Sequence, residues 1–460
     1  MTANISVVIL AAGQGTRMRS DRPKVLHPLA GRPILAHVID SAENLGADQI
    51  CVVYGHGGNL VQAAFADKDV TWVEQKPRRG TGHAAQQALP GIKSGNIVLV
   101  LPGDVPLVNS ATLERLLDKA GDDRLTVLTA ELDDPSGYGR IIRNADGQIQ
   151  AIVEEKDASP EQRVIREVNT GLLACPVNQL SAWLEKLQTN NVQGEYYLTD
   201  IVSLAVDDGL RVETVAAKSA TEVMGINDKI QLAQAERAYQ KRLANELMAR
   251  GVGILDPARV DIRGSLVCGK DVVLDINTVF EGVVELGDGV TIGPNSVIRN
   301  TRIASGTQVF ENCVLDGATV GENCEIGPFA RFRPEANLKK NVRVGNFVEI
   351  KKSTIGAGSK LNHLTYMGDA IIGTDVNVGA GTIACNYDGA YKHQTLIGDK
   401  VFIGSGVELV APVEIGSGAT IGAGSTISKS APPGELSLER AKQVVIRGWK
   451  RPRKTTDKGN

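Results

Sequence analysis

A six-residue period governs the chain beyond Gly251, and few backbone geometries tolerate one. Val320, Ile326, Phe332, Leu338, Val344 and Ile350 lie six apart, as do Ile397, Ile403, Leu409, Ile415, Ile421 and Ile427. An aliphatic residue followed directly by glycine recurs from Leu286 through Val320, Val344 and Ile372 to Ile421. An α-helix turns about every 3.6 residues, and each interior glycine would cost it about 1 kcal/mol. A coiled β-strand fits the period instead. One inward aliphatic per short strand fills a narrow core, and the small residue beside it lets the chain turn a corner. The 50 glycines and the 4% aromatic content suit such a repeat. Three hexads make one triangular coil, so about 180 residues give about ten coils, a prism on the order of 45–50 Å long at about 4.8 Å per strand. Two departures stand out: Ile350 to Ile355 is five residues, and Val378 to Ile397 is nineteen. The first reads as a local adjustment. The second predicts that residues 379–395 leave the prism as a protruding loop, where repeat proteins tend to place binding function.

The first half has a different pattern. From Ile5 to about Val215, short β-branched runs beginning at Ile5, Gln49, Val70, Asn96, Leu125 and Glu167 alternate with amphipathic stretches such as 33–47 and 110–121. Buried strands alternating with helices predict an α/β domain, a Rossmann-like, mostly parallel sheet covered on both faces, with ligands beyond the C-terminal strand ends. From Asn227 to Arg250, Leu232, Ala235, Tyr239, Leu243 and Leu247 recur every three or four residues with no glycine or proline, which predicts one long amphipathic helix. The expected organisation is residues 1–229, a helical linker over 230–250, and the prism with its tail over 251–460.

Composition excludes several functions. A net charge of −3 provides no field for nucleic acid. No apolar run approaches the roughly 20 residues that span a bilayer, so no membrane role is expected. The six cysteines (51, 175, 268, 313, 324 and 385) are scattered, with no CxxC pair. Reduced thiols and a cytoplasmic location are expected, and the opening residues lack the basic n-region of a secretory leader. The basic end, Arg447 to Lys454, reads as a solvated terminus.

Chemistry in the first half begins where the first strand runs into Leu10-Ala11-Ala12-Gly13-Gln14-Gly15-Thr16-Arg17-Met18, followed by Pro23-Lys24-Val25-Leu26. The glycines let backbone N–H groups face an anion, and Arg17 and Lys24 add two cations, a combination suited to a triphosphate and a phosphorylated acceptor. No GK[ST] follows and the spacing is not GxGxxG, so this is neither a Walker A loop nor a dinucleotide fingerprint. Further strings follow in order: Gln75 with Gly80-Thr81-Gly82-His83, Gly103-Asp104-Val105-Pro106-Leu107, Gly137-Tyr138-Gly139-Arg140, Val153-Glu154-Glu155-Lys156 and Asn169-Thr170-Gly171. Asp104 closes a buried strand, where a hard carboxylate can hold Mg²⁺ against phosphate oxygens. Together these strings resemble the sugar-1-phosphate nucleotidyltransferases.

In the second half a zinc carbonic anhydrase site would need three histidines, and only His363 and His393 are present. Acyl transfer needs a base for the acceptor amine, and His363 in Lys360-Leu361-Asn362-His363-Leu364-Thr365-Tyr366 is the candidate, in a stretch that reads as irregular between hexads. At about 18 residues per coil, Arg333, Lys351 and His363 should fall on neighbouring coils. A lone histidine is more often structural, and Arg333 and Lys351 could be exposed charge on a β-face.

With both halves considered, the chain resembles the bacterial bifunctional N-acetylglucosamine-1-phosphate uridyltransferase/glucosamine-1-phosphate N-acetyltransferases. That resemblance implies that Leu10, Ala11, Ala12, Gly13, Gln75, Gly80 and Thr81 hold the uridine nucleotide of UTP. Gly103, Gly139, Glu154, Asn169 and Asn227 contact the sugar or its nucleotide product, Asp104 and Asn227 hold Mg²⁺, and Arg17 and Lys24 stabilise charge at the phosphorus. Pro102 stands where the family has tyrosine. The resemblance further implies His363 as general base, Arg333, Lys351, Tyr366 and Asn377 on the amino-sugar phosphate, and Asn386 and Tyr387 near the reacting groups. Ala380, Ser405, Ala423 and Arg440 would contact acetyl-CoA. It also implies a left-handed coil and a homotrimer. The alternative reading is a nucleotidyltransferase whose prism only regulates or oligomerises, and a purely structural repeat protein is disfavoured by the order of the first-half strings.

Overall fold

The computed structural model describes residues 4–93, 95–121 and 123–452, and the chain divides into two compact units, Met1–Asn245 and Glu246–Asn460. Of the basic end, Arg453 and Lys454 lie outside the described residues.

The first unit is built on a nine-stranded sheet. Its strands are β1 (Ile5–Ala11), β2 (Gln49–Tyr54), β3 (Thr71–Glu74), β4 (Ile97–Pro102), β5 (Arg124–Glu131), β6 (Arg140–Arg143), β7 (Ile149–Val153), β8 (Glu167–Pro176) and β9 (Arg211–Ala216). The order across the sheet is β9-β5-β8-β4-β1-β2-β3. All pairings along it are parallel except those of β8, which runs antiparallel to both β4 and β5. The short antiparallel hairpin β6–β7 hangs from β8. The six runs read from the sequence are all strands; β6, β7 and β9 were not among them. The first two are only four and five residues long, and β6 carries arginine at both ends, so their apolar pattern is weak.

Alternation explains the layering. Val7, Ile9, Leu99 and Leu101 face one core with Leu35, Val38 and Ile39 of helix α1 (Ile34–Asn44). Val8, Val98 and Val100 face the other, against the alanines of α2 (Thr81–Ala88) and Leu180, Trp183 and Leu184 of α3 (Val177–Lys186). With both faces covered, successive side chains are buried through the middle of β1 and β4, which is why these strands read as continuous apolar runs. Helix α4 (Lys229–Ala249) follows, its first turn held by Asp228, whose Oδ1 accepts the Gln231 N–H at 2.8 Å. Asn227 is thereby fixed immediately before a helix start.

The second unit is a left-handed parallel β-helix of short strands, each paired to the coil above and below. One inner column runs Ile262, Phe280, Ile298, Leu315, Phe332, Ile350, Met367, Ala384, Leu409, Ile427. Coils are not uniformly 18 residues. Ile298↔Leu315 and Ile350↔Met367 are 17 apart. The five-residue side from Ile350 to Ile355 is therefore not a local adjustment: Ile298 to Ile303, Leu315 to Val320 and Met367 to Ile372 repeat it. In each case a residue of left-handed φ (Asn300, Gly317, Lys352 or Asp369) tightens that corner.

Two further expectations are corrected. The segment 379–395 does not leave the prism as a whole, because Ala384, 1% exposed, takes the sixth position after Val378 and pairs with Leu409. A methyl group suffices to fill the core there, so the period continues unseen by a search for larger aliphatics. Only the residues after Cys385 form the loop, before the coil resumes at Thr395–Ile397. Nor is the segment around His363 irregular: Lys360–Gly368 is one continuous strand paired to Arg343–Lys351, bending at Leu364, whose φ is 48°.

Candidate functional sites

In the first unit the candidate residues gather beyond the C-terminal ends of β1 and β4. The Lys24 ammonium donates to Asp104 and, at 3.2 Å, to Asn227 Oδ1. Three segments far apart in sequence converge on this point. Asp104 follows β4, Asn227 precedes α4, and the Ile226 N–H donates to the Asp104 carbonyl at 2.9 Å to join them. Gly15 lies over Lys24, since a Cβ on Gly15 would come within 2.7 Å of the Lys24 Cβ. The oxygens of Asp104 and Asn227 are hard donors that already converge on one cationic atom. Two such ligands, with phosphate oxygens and water completing the shell, suit Mg²⁺. No cluster of three or more His, Cys, Asp or Glu fit to hold a metal occurs among the described residues.

The surrounding candidates divide into those the fold itself uses and those it leaves open. Gln75 Nε2 donates to the Gly80 carbonyl at 2.8 Å, and Thr81 Oγ1 accepts the Leu198 N–H at 3.0 Å. A Cβ on Gly80 would lie 2.5 Å from the Tyr196 carbonyl oxygen. These residues hold their own loops in place. Leu10 and Gly103 are joined by the Gly103 N–H to Leu10 carbonyl bond at 2.9 Å, with Ala11 and Ala12 buried behind them. Gly13 differs, because no protein atom lies within 4 Å of a Cβ placed there. Packing within the chain does not demand its small size. Arg17 is exposed on the short turn Thr16–Met18.

Pro102 ends β4 opposite Leu10, and its ring occupies the space beside Gly171, 2.9 Å from where a Cβ would be. The β4–β8 register stops at Val100↔Leu173, so a proline beyond it removes no ladder hydrogen bond there. On the far side, the Asn169 N–H donates to the Gly139 carbonyl at 2.8 Å, and Asn169 Oδ1 accepts from Gly171 at 3.1 Å. Glu154 accepts from the Thr199 hydroxyl at 2.9 Å. Burial pushes its carboxyl pKa up, Asp200 and Asp157 push the same way, and the Thr199 bond partly offsets them.

In the second unit, stacking of coils does the assembling. Phe332↔Ile350 and Ile350↔Met367 are paired, so Arg333, Lys351 and Gly368 follow one another up one face of the prism. A Cβ on Gly368 would lie 2.3 Å from the Tyr366 hydroxyl and 2.7 Å from Asn386 Nδ2, which puts both groups over that glycine. Asn386 Nδ2 donates to Asp369 at 2.6 Å. The loop after Cys385 folds on itself through a Tyr387↔Lys392 bridge and the His393 N–H to Asn386 carbonyl bond at 2.8 Å. It returns Lys392 to Lys351, whose pKa is lowered first by contact with Lys392 and further by burial, the Lys392 charge and Arg333, while Asp369 opposes. Two ammonium groups and a guanidinium on one side of a site form a seat for a dianion. Sequence reasoning did not single out Lys392, Asp369 or Gly368: their proximity exists only after the loop closes and the coils stack.

His363 stands on the adjoining corner. Its neighbour one coil earlier is Asn346, and the following coils continue with Ala380, Ser405 and Ala423. The carbonyls of His363, Ala380 and Ser405 accept from Gly381, Gly406 and Gly424 respectively, so these residues form one column along a prism edge. Arg440 extends it, its Cδ lying 3.8 Å from where a Gly424 Cβ would be. Asn377 is not part of either group. It pairs with Lys360 and Phe402 on a different face from the Glu349–Tyr366–Ile383 ladder.

Comparison with known proteins agrees with this two-part layout. Residues 7–169 match the MobA-like NTP transferase domain, and residues 266–300 and 394–429 match the bacterial transferase hexapeptide. The bifunctional protein GlmU of Azoarcus sp. strain BH72 is 57% identical over 97% of this chain and 99% of its own length. That of Nitrosomonas eutropha is 56% identical over 98% and 99%, and that of Alkalilimnicola ehrlichii 54% over 100% and 99%. The chain belongs to the GlmU family of bifunctional enzymes, pairing a uridyltransferase with a glucosamine-1-phosphate acetyltransferase.

Proposed function

We propose that the prism acetylates glucosamine-1-phosphate from acetyl-CoA through His363, and that the N-terminal unit then transfers a uridylyl group from UTP to the product with Mg²⁺. The observation that carries the first step is the His363 column beside the Arg333, Lys351 and Lys392 cations. Those cations hold the sugar phosphate, and Tyr366 and Asn386 border the amine, with Tyr387 in the same loop. His363 Nε2 takes a proton from the amine, whose lone pair attacks the thioester carbonyl. The C–S bond then breaks and CoA leaves as a thiol, using the proton that His363 took. Ala380, Ser405 and Ala423 form a shallow edge along which the CoA arm lies, with Arg440 reaching its phosphates. Asn377 lacks comparable geometric support within one chain.

For the second step, Leu10 to Gly13 receive the nucleotide, and the open space at Gly13 allows phosphate or base to approach the backbone. Gln75, Gly80 and Thr81 shape the nucleotide wall. Gly103, Gly139, Glu154 and Asn169 border the sugar, and Pro102 offers an apolar ring there. Asp104 and Asn227 would hold Mg²⁺, which neutralises phosphate charge when bound. Lys24 and Arg17 stabilise charge as the sugar phosphate attacks the α-phosphorus and pyrophosphate departs. In this reading the sugar phosphate attacks directly, so positioning and electrostatics carry the rate.

A trimer is the proposed assembly, with the protein acting in the cytoplasm. Phe329, Phe347 and Leu364 are exposed along one prism edge at 48%, 56% and 58%, with the two phenyl rings stacked 5.3 Å apart. Such a ridge suits burial against another copy.

The test supplies glucosamine-1-phosphate and acetyl-CoA, then N-acetylglucosamine-1-phosphate and UTP, following CoA and pyrophosphate separately. CoA release should need no metal, and pyrophosphate release should stop when EDTA removes it. Absence of CoA release would reduce the prism to a scaffold.

A further inference from the structure

His363 Nδ1 and Asn346 Oδ1 are 2.9 Å apart. The two residues are paired across adjacent coils, each directly before a corner residue of left-handed φ, Phe347 at 57° and Leu364 at 48°. Identical corner geometry on successive coils sends both side chains off the same edge, so the contact is a product of the stacking register. A neutral imidazole has one N–H and one lone pair, and the partner of one nitrogen decides which atom keeps the lone pair. An amide oxygen at Nδ1 can only accept. It therefore requires the proton on Nδ1 and leaves the lone pair on Nε2, which has no hydrogen-bond partner among the described residues. On the coil after His363 the column continues with Ala380, too short to reach the ring.

From this geometry we infer that Asn346 is a positioning residue for acetyl transfer, holding His363 in the tautomer and orientation that keep Nε2 free as base. The inference rests on His363 being the base. Asn346 touches neither reactant. It also keeps Nδ1–H satisfied once Nε2 is protonated, without adding a negative charge beside the imidazolium. The charged groups nearest this pair in the ladder are Arg343 and Glu349 on the coil of Asn346 and Lys360 on the coil of His363. Glu349, the one anion among them, pairs with Arg333 at 3.1 Å and stands opposite Tyr366 in the ladder, so the amide of Asn346 is the group at Nδ1.

The test compares wild type with Asn346→Ala, Asn346→Asp and His363→Ala in the full-length protein. Asn346→Ala should lower kcat for CoA release by about tenfold to a hundredfold, a fraction of what a general base contributes. KM values for acetyl-CoA and the amino sugar should change less than about twofold, and pyrophosphate release from N-acetylglucosamine-1-phosphate should not change. Asn346→Asp restores an acceptor and adds a negative charge, so activity should recover while the acidic limb of the kcat/KM profile moves up in pH. A purely structural role would not produce that shift. If Asn346→Ala keeps full kcat, or if Asn346→Asp recovers activity with an unshifted profile, the inference is overturned. If His363→Ala itself retains CoA release, the base assignment fails first, and the two failures are separable.

Discussion

Gly368 offers a direct test of whether the groups stacked above it form an active site. A Cβ there would lie 2.3 Å from the Tyr366 hydroxyl and 2.7 Å from Asn386 Nδ2, against an ordinary contact of about 3.4 Å or more. Gly368→Ala therefore requires the Tyr366 hydroxyl to move by about 1 Å. Misplacement on that scale costs about a hundredfold in rate when the displaced group positions a reactant. The backbone is not the obstacle, since Gly368 is not among the residues of left-handed φ, and the atoms nearest the added methyl belong to the side chains of Tyr366 and Asn386. The atoms that must yield are the far ends of side chains, so the cost in stability should stay within the usual range for overpacking, about 1–3 kcal/mol or less. The assay is thiol detection of CoA release, with pyrophosphate release as an internal control and thermal denaturation as a check on folding. The expected result is a kcat for CoA release reduced about a hundredfold, an intact second activity and a cooperative melt. A folded variant with CoA release within about threefold of wild type would refute the placement of Tyr366 and Asn386 at the reacting centre.

Other perturbations should act separately on the two units. Lys24→Met removes the cation shared by Asp104 and Asn227, and pyrophosphate release should fall by about a hundredfold to a thousandfold while CoA release holds. Glu154→Gln should stabilise the protein at neutral pH while weakening sugar binding. A carboxyl whose folded pKa is raised binds its proton more tightly when folded, so ionisation costs stability as pH climbs from the unfolded value through the raised one. The melting-temperature gain should vanish below about pH 4 and grow as pH rises above the ordinary glutamate range, and a loss at pH 7 would contradict it. Phe347→Ser removes one ring of the exposed stacked pair and should weaken self-association by about tenfold or more in sedimentation velocity, whereas an unchanged oligomer would place the interface elsewhere.

How much could be read from the residues alone depended on whether the signal was periodic, compositional or spatial. The prism was legible because each inward aliphatic is set by the same core, and Ala384 escaped notice because its methyl does not look like a core residue. The sheet was legible where both faces are buried, as in β1 and β4, and the hairpin β6–β7 was not, being short and only partly buried. Candidate site residues carried by long strings, such as Asp104, came from resemblance, and the structure adds their convergence with Lys24 and Asn227. Ala380 and Ala423 carry no chemical signal of their own. Their common column with His363 becomes visible only when 17- to 25-residue coil spacings are laid on one edge. Lys392 and Asn346 had no sequence signal, because one depends on loop closure and the other on register.

The central claim is that one chain holds two separable active sites, and the most direct measurement compares His363→Ala with Asp104→Asn. CoA release and pyrophosphate release are followed independently in each, with N-acetylglucosamine-1-phosphate supplied for the second reaction. His363→Ala should lose CoA release and keep pyrophosphate release, Asp104→Asn should do the reverse, and a mixture of the two variants should convert glucosamine-1-phosphate to the UDP-sugar. A folded variant that loses both activities, or a His363→Ala protein that still releases CoA at the wild-type rate, would contradict the account.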